Sequence, residues 1–249
     1  MDRANKKNFS EECGNHNSIS LHTMRFLELA CRNFLGKTRT IGSFSYEDFD
    51  EIEYEKILIK NYPPFSIFWY YSFKAYARFL LSGIEDALAA VEVAEKYALN
   101  NEEFIIGLEY LFISGLIFAA ASRKEKEKKA IYLSKVERNS HLLESIALSC
   151  PQNYEHKKLL LLAEIADLKG NDVEAQYLYN KSIQVAQENL FTNHIAIACE
   201  VAAHHYNSKG LSFISKVCSN YPSQSLSMIK IFELLESAHY LTKNKINLQ

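Results

Sequence analysis

The chain has 249 residues and a formal net charge of −2, from 28 basic and 30 acidic side chains. This length is sufficient for a substantial core. The near-neutral charge provides no general attraction to nucleic acid or to an anionic membrane surface. Hydrophobic residues make up 48% and aromatics 12%, with only eight glycines and four prolines, which indicates a folded, helix-rich chain.

The cysteines and the first residues indicate the compartment. Five cysteines lie far apart and include no CxxC pair. We therefore expect reduced thiols, with Cys31 and Cys199 at small core positions. Residues 1–17 are polar, which predicts a flexible tail without a secretion signal. Together these features predict a cytoplasmic protein.

Apolar residues recur with helical periodicity along most of the chain. A first helix is predicted from about residue 18 to Leu35, and a short helix opens at Asp48 after a loop. Pro63 and Pro64 precede an aromatic-rich helix over 65–82. The later predicted helices cover 87–98, 104–122, about 130–150, the hairpins of 151–210, and a last segment between Leu226 and Tyr240.

The most apolar segment, Phe104–Ser122, is long enough to cross a membrane. Glu109 lies inside this run, however, and no second such segment occurs. A mostly small ridge along the same helix favours close packing by neighbouring helices, and it consists of Gly107, Leu111, Gly115 and Ala119. We expect a buried helix, with a membrane anchor as the alternative.

Residues 151–210 contain one pattern twice. The series Leu159, Leu162, Ala163, Ala166 and Gly170 recurs forty residues later as Cys199, Ala202, Ala203, Tyr206 and Gly210. The intervening stretch 170–175 has the layout of a tetratricopeptide turn. We therefore predict an all-α, tetratricopeptide-like α-solenoid of about eleven helices stacked as antiparallel hairpins. It forms a single domain over 18–243, best defined over 151–218, and the end of the chain (244–249) frays.

The ordered series over about 38–210 resembles a known region of large bacterial signalling proteins. The residues that carry it are 164–175, 178–179, 182–183, Ala186 and 196–206. Those proteins combine a serine/threonine kinase-like domain and an AAA-type ATPase with a histidine kinase or another output domain. The resemblance implies a regulatory repeat module. Residues 211–249 depart from the pattern, and the 249 residues contain neither a phosphate-binding GxxxxGK[ST] loop nor the kinase HRD and DFG motifs.

No motif in the chain predicts catalysis. His204 and His205 with Glu200 suggest a metal site, but adjacent histidines point about 100° apart and no HExxH pattern completes a ligand set. No GxSxG nucleophile motif occurs. The aromatic residues between Trp69 and Tyr76 favour core packing over an exposed stacking surface. We expect no enzymatic activity, no cofactor and no metal.

The expected function is a non-catalytic protein-interaction or regulatory module of bacterial signal transduction. Its partner would be a protein such as a signalling kinase or ATPase, with no nucleic acid and no membrane involved. Polar or amphipathic residues on the first helices of hairpins are the candidate contacts: Tyr76, Glu164, Asp167, Glu200 and His204. One alternative is a small-molecule-sensing repeat domain that gates a signalling ATPase or kinase. Another is a membrane-anchored protein.

Overall fold

The computed structural model describes residues 18–98, 105–212 and 214–216, and over these ranges the chain is helical, with nine bounded α-helices, one short 3-10 helix and no strand. The prediction of an all-α fold is confirmed. The predicted tail of 1–17, the last helix and the frayed end of 244–249 lie outside the described residues. The α-helices are α1 Ser18–Phe34, α2 Glu51–Asn61, α3 Pro64–Leu81, α4 Ile84–Glu95, α5 Ile105–Lys124, α6 Lys129–Ser149, α7 Pro151–Leu168, α8 Asp172–Glu188 and α9 Thr192–Ser208.

Local signals account for most helix ends. Proline occupies the first position of α3 and of α7, where its missing N–H costs nothing. Helix α2 begins at Glu51 and not at Asp48, because the Asp50 carboxylate accepts hydrogen bonds from the first backbone N–H groups of the helix. The charged run after α5 contains a 3-10 turn, Lys126–Lys128, before α6 starts.

The chain groups into two compact units, residues 1–110 and 111–249. In the first unit α3 packs against α1 and α4. Tyr70 is fully buried at the centre of an aromatic cluster, with ring centroids 5.6 Å from Phe26, 5.8 Å from Phe44 and 5.1 Å from Tyr71. These aromatic side chains therefore form core, as their sequence pattern predicts.

A buried lysine organises the polar part of the first unit. Lys74 is 3% exposed and forms ion pairs with Glu51 and Glu55. Glu51 also accepts a hydrogen bond from Ser43 Oγ at 2.7 Å, which ties the loop before α2 to the core. Burial alone would raise the pKa of Glu51, but the Lys74 charge and the hydrogen bonds outweigh it and lower that pKa.

We predict that Lys74→Met destabilises the protein by about 3–5 kcal/mol, because it leaves Glu51 buried without its main counter-charge. Urea-induced unfolding followed by circular dichroism measures the change. Lys56→Met is the matched control, since Lys56 forms an exposed pair with Glu53 and its loss should cost far less than the loss of Lys74. Equal effects of the two substitutions would contradict the prediction.

Helix α5 is long and apolar enough to cross a membrane by length and composition, and 78% of its most apolar window is buried within the protein. Gly115 of this helix allows a neighbouring helix to pack closely. A Cβ on Gly115 would lie 2.8 Å from the Leu161 side chain, so α7 approaches α5 where no side chain intervenes. This contact agrees with the small ridge seen in the sequence.

In the second unit the same turn ends three successive helices. The turn residues Gly170, Leu190 and Gly210 lie twenty positions apart and have φ values of +81°, +61° and +76°. After each of them the next N–H donates to the carbonyl five residues back, at 2.9 Å every time, in the bonds Asn171–Ala166, Phe191–Ala186 and Leu211–Tyr206. This is a Schellman ending. The forty-residue sequence repeat therefore consists of two helical units of twenty residues.

Leu190 is the exception among these turns, because a leucine occupies a left-handed conformation that favours glycine. Its side chain is 85% exposed, so packing does not compensate the strain. We predict that Leu190→Gly stabilises the protein by about 1 kcal/mol, measured as a higher urea midpoint. Leu148→Gly is the control: Leu148 is also exposed but lies in helix α6, where glycine destabilises. A less stable Leu190→Gly variant would refute the strain.

Candidate functional site

Two of the predicted contact residues lie together on α7. Glu164 and Asp167 are three residues apart on one face, and both meet Arg123 from the end of α5. Arg123 Nη1 lies 2.6 Å from Glu164 Oε2, and Arg123 Nη2 lies 2.6 Å from Asp167 Oδ2. One guanidinium therefore binds two carboxylates in the fork geometry that arginine favours.

Helix α8 adds a buried phenol to this group. The Tyr179 hydroxyl donates a hydrogen bond to Glu164 Oε1. Tyr179 is fully buried, and its burial together with the Glu164 charge raises the pKa of the phenol. Tyr179 therefore stays a neutral donor, and it adds a further hydrogen bond to Glu164 Oε1, which also accepts one from Arg123 Nη2 at 3.0 Å.

Helix α9 completes the arrangement through a histidine. His205 Nδ1 lies 2.8 Å from Asp167 Oδ1, and the His205 side chain is 0% exposed. Its ring also packs against Tyr179, at 5.2 Å between centroids. We call Arg123, Glu164, Asp167, Tyr179 and His205 the polar cluster. It joins side chains from α5, α7, α8 and α9.

The surroundings within the polar cluster favour the charged forms of Arg123 and Asp167. Burial alone would raise the pKa of Asp167, but hydrogen bonds and charge from Arg123 and His205 outweigh it and lower that pKa. Burial likewise opposes the charge on Arg123, yet the carboxylates of Glu164 and Asp167 raise the pKa of its guanidinium. The ion pairs are therefore present at neutral pH.

The other predicted residues on α9 face outward. Glu200 and His204 are exposed and lie four residues apart, so they share one face of the helix. His205, next in sequence, points inward. His194, near the start of α9, is buried and pairs with His156 of α7 at 2.8 Å. Among the described residues no group of three or more His, Cys, Asp or Glu side chains is placed to hold a metal ion.

The structure thus places the five predicted contact residues in different surroundings, and only some of them are exposed. Glu164 is 1% exposed and its carboxylate is occupied, so a partner in a groove cannot reach it. Asp167 is mostly buried and also occupied. Tyr76 belongs to the first unit, where its ring packs 5.9 Å from Phe34. Glu200 and His204 remain as the exposed candidate surface, which we call the α9 face.

Sequence reasoning missed three members of the polar cluster as site residues: Arg123, Tyr179 and His205. For Arg123, the sequence did contain a signal. Glu164 and Asp167 interrupt the apolar face of α7, and acidic residues on a buried face require a cation. Arg123 is the first charged residue after the apolar run of α5, which makes it a candidate for that cation.

No protein-family model matches the chain, and neither a similar curated protein nor a similar solved structure is found. The all-helical fold is therefore established from the structure itself. The relation to bacterial signalling proteins rests on the sequence resemblance and is treated below as a proposal.

We predict that Asp167→Asn destabilises the protein by about 3 kcal/mol at pH 7, because Arg123 and His205 lose a buried anionic partner. The pKa of Asp167 is lowered in the folded state. The stability that Asp167 contributes is therefore fully present above the pKa of an ordinary carboxyl group, about 4. It is lost as the pH falls through the lower pKa of Asp167 in the folded state. The free energies of unfolding of the variant and the wild type should therefore converge at low pH, which urea unfolding at several pH values measures.

Asp172→Asn is the control for this measurement, since Asp172 pairs with Lys209 at the protein surface. Its substitution should cost at most about 1 kcal/mol. A constant difference between wild type and Asp167→Asn down to the acid transition would contradict the assigned role of Asp167.

Proposed function

We propose that this chain is a non-catalytic, protein-interaction module of the tetratricopeptide-like α-solenoid type. The observation that carries the proposal is the recurrence of one turn geometry at Gly170, Leu190 and Gly210. Repeat proteins stack such units and use the resulting surface for binding.

Contacts between neighbouring helices support the solenoid arrangement. Helix α8 packs against both α7 and α9. Ser182, late in α8, donates a hydrogen bond to the carbonyl of His156, early in α7, at 2.7 Å. Tyr206, late in α9, donates to Asn180 in the middle of α8. Contacts of this kind are expected between antiparallel neighbours, so they support the proposed hairpin arrangement of α7 to α9.

The α9 face is the proposed contact surface. Glu200 and His204 are exposed on it, while His205, about 100° around the helix from His204, is held in the polar cluster. A rigid helix with an exposed acid and an imidazole suits a polar protein partner, because little side-chain and backbone freedom is lost on binding. The resemblance to bacterial signalling proteins makes a kinase or ATPase of such a system the proposed partner.

The two alternatives gain no support from the structure. A flat small molecule would bind most naturally to the aromatic cluster of the first unit, but Tyr70 and Tyr71 are buried there against each other and within the core. The apolar helix α5 is largely covered by protein, as the core helix of a folded domain is. We therefore retain the interaction module as the single proposed function.

We predict that the double variant Glu200→Lys, His204→Ala loses the partner, because both polar contacts of the α9 face are changed. Affinity capture from lysate of the source cells, quantified by mass spectrometry, measures the loss, which should be about tenfold or more for interface residues of this kind. Circular dichroism should remain unchanged, since both residues are exposed.

A matched pair exists on α8, where Gln184 and Glu188 are exposed, lie four residues apart and hydrogen-bond to each other at 2.7 Å. The variant Glu188→Lys, Gln184→Ala carries the same changes and should retain the partner. Equal capture by both double variants would refute the α9 face as the binding surface.

A further inference from the structure

Helix α2 exposes many apolar side chains for its length. It has eleven residues, and among them Ile52, Ile57 and Ile59 are 65%, 41% and 45% exposed. Of the side chains that the structure describes, no other helix exposes three large apolar ones. Isoleucine loses side-chain freedom in a helix, and an exposed isoleucine gains no burial in return. Single exposed apolar residues are ordinary, but three on one short helix indicate a contact surface.

The inner side of α2 is fixed to the first unit. Tyr54 and Leu58 are buried, and Glu55 accepts a hydrogen bond from the Tyr70 hydroxyl at 2.9 Å. The Asp50 carboxylate caps the start of the helix. The outer side of α2 is therefore held in place by the core, and it loses little freedom when another molecule docks on it.

The outer side combines apolar contact with an asymmetric distribution of charge. Ile52 and Ile59 are seven residues apart, so they lie on the same side of the helix, two turns from each other. Glu53 is exposed near the start of α2, and Lys60 is exposed near its end. Lys56, between them, pairs with Glu53 at 2.7 Å. We call the outward residues the α2 face: Ile52, Glu53, Lys56, Ile57, Ile59 and Lys60.

The α2 face is complementary to a copy of itself. When two α2 helices lie side by side in opposite directions, a two-fold axis relates them, and Ile52 of one copy meets Ile59 of the other. The same arrangement places Glu53 of each copy beside Lys60 of the other. Lys56 lies near the axis, where Glu53 of its own helix balances its charge. Two parallel helices would instead bring like charges together.

We propose that the α2 face is a self-association surface, on which a second copy of this chain docks through its own α2 in an antiparallel, two-fold arrangement. Each copy contributes one short helix, so the interface is small and the dimer dissociates on dilution. The surface belongs to the first unit. It therefore does not depend on the proposed function, which uses α9.

Charge reversal tests the pairing, and sedimentation equilibrium of the full chain over a wide concentration range measures it. Glu53→Lys and Lys60→Glu should each weaken the dimer by about tenfold, because each variant places like charges together twice across a two-fold axis. The double variant Glu53→Lys, Lys60→Glu restores opposite charges and should recover most of the wild-type affinity. Circular dichroism should remain unchanged, since both residues are exposed.

The double variant Ile52→Ala, Ile59→Ala tests the apolar contact. It should weaken the dimer by about tenfold or more, because alanine keeps the helix and removes the contact. Its matched control is Val173→Ala, Tyr177→Ala on α8, where both side chains are exposed and should leave the dimer intact.

Four results would each overturn the proposal. The first is a wild type that stays monomeric at every concentration, and the second is a dimer that neither single charge reversal weakens. The third is a double charge reversal that recovers no affinity. The fourth is an α8 control that weakens the dimer as much as the alanine variant of α2 does.

Discussion

A buried carboxylate dictates much of the packing in the second unit. Glu164 is almost fully covered, and an ion in that position is tolerated only when it is paired and hydrogen-bonded. Arg123 provides the charge and Tyr179 provides a further donor, so the end of α5 and the middle of α8 must both reach α7 at this point. Asp167 shares the same guanidinium and extends the arrangement to His205 of α9. Apolar burial holds these helices together, and the polar cluster fixes which of their faces meet.

The recurrent turn supplies the second constraint. A left-handed residue every twenty positions, at 170, 190 and 210, ends a helix in the same way each time. Helices of similar length then follow one another in the same register, as in the buried positions of Leu159, Tyr179 and Cys199. In the part of the chain that the structure describes, Glu200 and His204 of α9 are exposed, and the proposed function uses them.

Local features of the sequence predicted the all-helical class and most helix positions, but they could not predict the long-range pairing within the polar cluster. Helical periodicity, prolines at helix starts and glycines at 170 and 210 are local signals, so helix positions followed from them. Leu190 gives no turn signal, which hid the twenty-residue unit. Arg123 lies more than forty residues from both of its partners, and the contact depends on tertiary packing. Which of His204 and His205 faces solvent depends on a rotation of about 100°, which the sequence pattern did not determine.

If the α9 face binds a protein, site-specific photocrosslinking in the source cells should capture that protein. A photoreactive amino acid is placed at Glu200 or His204, and at the exposed Gln184 of α8 for comparison. We expect a discrete crosslinked product with a second polypeptide from positions 200 and 204 and none above background from position 184. Crosslinks of equal yield from all three positions, or none from any of them in cells that contain the folded protein, would contradict it.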